Sequence, residues 1–365
     1  MSENQYKDSL GVERLELLFN EDVNFFYNKK NFRRKSFLSR IKTKHIYLIP
    51  SLIFKRTYKL MPSIIKDLLF GLSIIHKSPS SRFFSKTKYD QIRTLFDIKV
   101  SSLTLKSLPK EVQNKVNDTF ISGFYSISLA NLFEIDELIE SVIHYSKPSH
   151  AGARPYFKDG KNVKIEESFS AYYTFSKKDN QRINKIFRKT SSRDLNYHLS
   201  ALAGYRCKLE DMFYSLSIVY GENSNSEMHQ DTFASVAKGF VYLQDIGEDN
   251  SPFEYLKGSY MDAEFRSKQT NKAVLDGDFH SSGSTRLRGN ILEKAINKFE
   301  LKSFIGPKGL FVLANTAGYH RKGFHGSKKP RIILACGVKR KGTLTKLFLN
   351  LFSILKYKLL PFENY

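Results

Sequence analysis

The stretch Ser226–Phe233, SEMHQDTF, sets a histidine and an aspartate one residue apart, His229 and Asp231. Far downstream, Asn315–His325 reads NTAGYHRKGFH, and Arg331 follows it. A lone His-x-Asp pair is a weak signal, because two polar residues on a solvated turn read the same way. With His320 it becomes a set of two imidazoles and one carboxylate. Such a set can occupy one face of an octahedral ion and leave three positions open, the usual arrangement for non-haem Fe(II); catalytic zinc accepts the same donors. Arg331 adds a planar fork that can grip a carboxylate through two hydrogen bonds. His325 competes with His320 for the third ligand position. His320 is preferred because it stands nearer a strand end, which leaves His325 in a loop.

These side chains need a scaffold that brings distant segments together. From about Met212 the hydrophobic period becomes two. Phe213–Tyr220 (FYSLSIVY), Gly239–Asp245 (GFVYLQD), Gly309–Ala314 (GLFVLA) and Arg331–Val338 (RIILACGV) read as strands. Turn-rich pieces punctuate them. Short strands with long irregular connections suggest an antiparallel barrel or jelly roll. In such a roll the end of GLFVLA and the start of RIILACGV are expected at one mouth, with His320 and Arg331 together. On the first strand Ser215 and Ser217 share one face, Leu216 and Ile218 the other. Phe240 and Tyr242 read as core residues that can also line a cavity.

The rest of the chain reads differently. Residues 1–110 are basic and mainly helical, with apolar faces at Leu52–Lys59 and Ser63–Ile75 and a loop at Ser78–Ser85. Phe133–Tyr145 is an amphipathic helix, and Asp179–Gly204 is helix and loop. Thr343–Leu360 is a helix with a narrow polar stripe of Lys346, Asn350 and Ser353. It is expected to pack on the roll or a second subunit, with a membrane surface as the alternative. This gives three units: 1–110, 111–342 and 343–365.

The 365 residues, 41% hydrophobic and 14% aromatic, are ample for a buried core. Cys207 and Cys336 make no disulfide framework and read as small core residues in a reducing, cytoplasmic setting. No apolar run reaches membrane-spanning length. The net charge of +23 favours an anionic partner. Its scatter along the chain argues against nucleic acid, which prefers a patch or stripe.

The phrases MHQD, GFVYLQDI, PFEYLKGSY and GPKGLFVLANTAGYHRKGFHGSKKPRIIL, in that order, resemble the phytanoyl-CoA dioxygenase-like branch of the Fe(II)/2-oxoglutarate-dependent oxygenases. The match covers about residues 205–340. The resemblance implies a double-stranded β-helix (jelly-roll, cupin-like) core of α+β, mainly β character, flanked by helices. It implies His229, Asp231 and His320 as Fe(II) ligands and Arg331 as partner of the distal carboxylate of 2-oxoglutarate, with Ser217 a further hydrogen-bond candidate. With dioxygen the expected reaction is hydroxylation of an unactivated C–H, and the basic surface points to an anionic substrate, small-molecule or carrier-linked. Two departures bear on cosubstrate and substrate contacts. Lys257–Tyr260 reads KGSY where the family has Pro-Gly-Ser-His, and Lys322 stands where a small hydroxyl residue is common. Asp231 itself is present, whereas halogenating relatives carry a small residue there. The alternatives are a zinc-dependent hydrolase and a basic nucleic-acid- or anionic-lipid-binding protein on the same scaffold.

Overall fold

The computed structural model describes residues 86–359, apart from 130–131, 146–149, 153–155, 159–160, 164–168, 191–192, 233, 276–284 and 328. The helices expected at Leu52–Lys59 and Ser63–Ile75, and the loop at Ser78–Ser85, lie outside the described residues. Helices α1 (Lys86–Lys106) and α2 (Lys110–Ser122) come first, followed by β1 (Phe124–Ser128) and α3 (Phe133–Tyr145). Short strands β2 (His150–Gly152), β3 (Tyr156–Lys158) and β4 (Lys161–Val163) precede β5 (Phe169–Thr174). After α4 (Lys177–Thr190) and α5 (Arg193–Ala203) come β6 (Met212–Tyr220), β7 (His229–Gln230), β8 (Ala237–Tyr242) and β9 (Phe253–Leu256). The chain continues through α6 (Ala263–Leu275), β10 (Thr285–Arg286), α7 (Gly289–Lys298), β11 (Leu301–Phe304), β12 (Leu310–Asn315), β13 (His320–Lys322), β14 (Arg331–Val338) and α8 (Thr343–Leu359).

The core is α+β: two antiparallel sheets packed in the manner of a jelly roll, with helices flanking. The larger sheet has the order β1-β12-β8-β14-β6-β5-β2, the smaller β10-β7-β13-β9-β11. Period-two patterning decides which side chains go where. On β6 and β14, Leu216, Ile218, Ile332 and Leu334 point outward into a core shared with Ile135 and Ile139 of α3, Ile183 and Phe187 of α4, and Leu195 and Leu199 of α5. Alternate residues, Ser215, Ser217, Val219, Arg331, Ile333 and Ala335, line a cavity between the sheets. A second apolar cluster joins Phe253 and Phe304 of the smaller sheet to Val312 and Ala314 of the larger. Gly123 ends α2 at φ 85°, and its N–H donates to Thr119 O at 2.9 Å; this left-handed cap turns the chain directly into β1.

The four expected strands and the 133–145 helix are present, the strands shifted by up to three residues at their ends. One topological expectation is corrected. His320 does not end the GLFVLA strand. That strand stops at Asn315, a turn closed by Gly318 N–H donating to Asn315 O (3.0 Å) crosses to the other sheet, and His320 begins β13. His320 and Arg331 therefore face the cavity from opposite sheets rather than from neighbouring strands.

The C-terminal helix packs through its polar stripe. Lys346 and Asn350 are fully buried against α1 and the turn after α5, while Ser353 donates to Leu349 O within its own helix. Cys207 and Cys336 are buried and free.

Candidate active site

His229 sits on β7 and His320 opposite it on β13, in direct antiparallel register. Asp231 follows β7, held by its backbone N–H donating to Thr316 O at 2.9 Å. The result is a compact set: one ligand atom from each of His229, Asp231 and His320 lies within 4.8 Å of the others. His229 Nε2 is 3.7 Å from Asp231 Oδ1, and His320 Nε2 is 3.6 Å from Asp231 Oδ2. The imidazole rings are 4.5 Å apart, centre to centre.

Both rings are aimed by the same local device. His229 Nδ1 donates to Glu227 O at 2.7 Å and His320 Nδ1 to Gly318 O at 2.9 Å, each a carbonyl two residues upstream. A carbonyl only accepts, so the proton sits on Nδ1 and the lone pair of Nε2 is left for an ion. Burial, helped by the neighbouring His320, pushes the His229 pKa down to about 3. Burial also lowers His320. Both rings are therefore neutral near pH 7, as ligands must be. Burial alone would raise the Asp231 carboxyl, but Lys238, with Nζ 2.7 Å from Oδ2, and the two histidines hold it far below the usual carboxylate range. Two neutral imidazoles and an ionised carboxylate fit a divalent transition metal with open positions.

The set borders the cavity of about 390 Å³ between the sheets. Its other walls include Ser217, Phe213, Phe240, Phe253, Lys322 and Arg331. Arg331 is 5% exposed, and its Nε and Nη2 have no hydrogen-bond partner among the described residues. Its guanidinium lies 6.0 Å from the Tyr242 ring centre, and no carboxylate of the described residues pairs with it. A buried guanidinium with idle donors is costly unless an anion completes it. Lys322 is equally buried, donates Nζ to Gly221 O, and is pushed down to about 7 by burial and by Arg331. The cavity wall thus carries Arg331 and Lys322, close enough to lower the Lys322 pKa, as well as the potential metal set.

Among the cavity candidates, Ser217 and Phe240 do line it. Tyr242 is core, donating to Phe304 O at 2.7 Å. His325 is not a loose loop residue: it is buried, hydrogen-bonded to Ser251 Oγ at 2.9 Å and outside the ligand set. Sequence reasoning missed Lys238 and Phe213. The signal for Lys238 was its place two before Phe240, hence on the same strand face. Phe213 is likewise two before Ser215.

No family model and no curated protein matches this sequence. Solved structures similar to it include the non-heme alpha ketoglutarate dependent epimerase SnoN from nogalamycin biosynthesis, at 9% identity and a TM-score of 0.38, covering 65% of this chain and 87% of that one. HygX from Streptomyces hygroscopicus, with nickel and 2-oxoglutarate bound, is 15% identical at a TM-score of 0.35 over 63% and 86% of the two chains. EctD from S. alaskensis, with bound Fe, gives 10% and 0.35 over 64% and 77%. These likenesses are distant, and the chemistry of this site rests on its own side chains.

Proposed function

We propose that the protein is an Fe(II)- and 2-oxoglutarate-dependent dioxygenase that hydroxylates an unactivated C–H of a small-molecule or carrier-linked, anionic substrate. One observation carries this reading: a neutral His–His pair and an ionised Asp converge within ligating distance on a cavity that also holds a buried arginine with idle donors.

In this reading His229, Asp231 and His320 hold the iron. Iron held there would, with 2-oxoglutarate and dioxygen, supply the oxidising power for C–H hydroxylation, one oxygen atom going to the substrate and the other to succinate as carbon dioxide is lost. Arg331 grips the distal carboxylate of the cosubstrate with the donors the fold leaves idle. Lys322, in place of the family's small hydroxyl residue, adds a second positive charge there, and Ser217 a hydroxyl. The aromatic walls, Phe240 and Phe253, exclude water and take the apolar part of the substrate. Residues 111–342 are the proposed oxygenase unit, with 343–365 appended to it. Two buried thiols suit a reducing compartment such as the cytoplasm.

The test is anaerobic titration of the full chain with Fe(II) and then 2-oxoglutarate, followed by succinate formation on admitting oxygen. One iron per chain, 2-oxoglutarate binding that requires the iron, and iron-dependent succinate support the proposal. A zinc-dependent hydrolase would use the same ligands but leaves the buried Arg331 unexplained. Tight zinc with no succinate on any panel of substrates would move the reading there.

A further inference from the structure

The C-terminal helix α8 is packed inside out. Three of its polar residues, Thr343, Lys346 and Asn350, are consumed by the fold. Lys346 Nζ donates to Ser235 O at 2.7 Å and stands 3.1 Å from Asp97 Oδ1. Thr343 Oγ1 donates to the same Asp97 oxygen at 2.7 Å. Asn350 Nδ2 donates to Val100 O at 2.9 Å and Gly204 O at 3.0 Å. Its large apolar residues face out: Phe348 is 68% exposed, Phe352 67%, Leu355 57% and Leu351 44%. The spacing 348, 352, 355 makes them one ridge along the helix. The helix cannot roll to bury this ridge without drawing a buried Lys–Asp pair apart. A ridge of this kind marks a docking surface.

Charge identifies the occupant. Lys339, Arg340 and Lys341 lead into the helix, and the chain carries +23 overall. A second copy would bring an equal positive charge against the first. An anionic bilayer offers both what the ridge needs and what the lysines need: acyl chains below and phosphate or carboxylate headgroups around. The helix has 17 residues, and no helix among the described residues is long and apolar enough to cross a membrane. We propose that α8 docks this protein, lying in the interface plane, onto the surface of an anionic phospholipid bilayer.

The docking helix and the candidate metal site form one hydrogen-bonded unit. Ser235, which receives Lys346, also donates its backbone N–H to Asp97 Oδ2 at 2.8 Å. Arg340 Nη1 donates to Thr232 Oγ1 at 2.6 Å. Both Thr232 and Ser235 lie in the short segment between Asp231 and β8. The strand that carries Ile333 and Ala335 of the cavity wall runs through Lys339–Lys341 into the ridge. A bilayer bound at α8 therefore holds the cavity in a fixed attitude to the membrane.

The test is flotation of the full chain with phosphatidylserine-containing vesicles and with pure phosphatidylcholine vesicles. It reads binding without turnover, so it stands or falls independently of the oxygenase reading. The chain is expected to float with the anionic vesicles and much less with the neutral ones. The Phe348→Ser/Phe352→Ser variant is expected to lose at least roughly tenfold in vesicle affinity, since two bulky apolar side chains leave the acyl region. Both residues are exposed and outside the cavity, so circular dichroism and anaerobic metal binding of the variant should match the parent. Failure of the parent to float, equal flotation of parent and variant, or a parental dimer that the variant converts to monomer would each overturn the proposal.

Discussion

His320 and His229 are cross-strand partners, paired in register between β13 and β7 with their rings 4.5 Å apart, although 91 positions separate them in sequence. Asp231, two residues past His229, closes the triangle. Removing any corner leaves two donors for an ion that needs three protein ligands to hold open coordination positions. His229→Ala, Asp231→Ala and His320→Ala are each expected to lower Fe(II) affinity and succinate formation by at least roughly a hundredfold. Anaerobic metal analysis and a succinate assay check this. A variant that retains full metal content and turnover would remove its residue from the ligand set.

In the wall of the same cavity, the idle donors of Arg331 predict a different failure. Arg331→Met is expected to raise the KM for 2-oxoglutarate by roughly a hundredfold, and Lys322→Met by about tenfold, with metal content intact. Charge-assisted hydrogen bonds contribute about 1.5–3 kcal/mol each. Steady-state kinetics with parallel iron quantification separates this loss from damage to the metal site. Equal KM values in parent and Lys322→Met would confine the cosubstrate role to Arg331.

Gly318 supplies the carbonyl that orients His320, and a Cβ there would stand well inside contact distance of the Tyr255 hydroxyl and close to Ser259 Oγ. The Tyr255 hydroxyl cannot simply move away, because it donates to Asn315 O at 2.9 Å. Gly318→Ala is therefore expected to weaken Fe(II) binding by about 10–100-fold through a tilted His320, although it removes no ligand. Calorimetric metal titration reads the effect. Parental affinity in the variant would show that the turn absorbs the methyl group without moving the ring.

His198 predicts a pH effect away from the site. It is buried, stacked 3.6 Å from the Tyr125 ring centre, and hydrogen-bonded to Thr119 Oγ1 at 2.7 Å. Burial pushes its pKa from 6.5 down to about 4, with nearby Asp194 opposing. The unfolded chain binds the proton near pH 6.5 and the folded chain only near 4. The neutral ring therefore supports the fold above pH 6.5, and that support is lost as the pH falls through this window. Urea unfolding near neutral pH and at about pH 4 should show a stability loss that is smaller in His198→Phe.

The candidate site was more legible than its surroundings, for physical reasons. His229, Asp231, His320 and Arg331 announce themselves through residue type and spacing next to period-two strands. Ser217 and Phe240 follow from strand alternation. What could not be read was which sheet each strand joins: the turn at Thr316–Tyr319 crosses between sheets, and nothing local in it says so. The direction of α8 was hidden for another reason. Its pattern shows a polar stripe and an apolar face, and hydrophobicity alone would turn the apolar face inward. The opposite outcome depends on Asp97 and on the carbonyls of Val100, Gly204 and Ser235, all remote in sequence. The importance of Lys238 likewise depends on Asp231 lying beside it in space.

The two strands that carry the histidines are very short, with two residues in β7 and three in β13. So little ladder gives that seam of the smaller sheet weak cohesion of its own. A cation shared by His229, Asp231 and His320 would act there as a rivet. Ion capture and closure of the seam would then be one event, and departure of the ion would let this middle of the smaller sheet breathe.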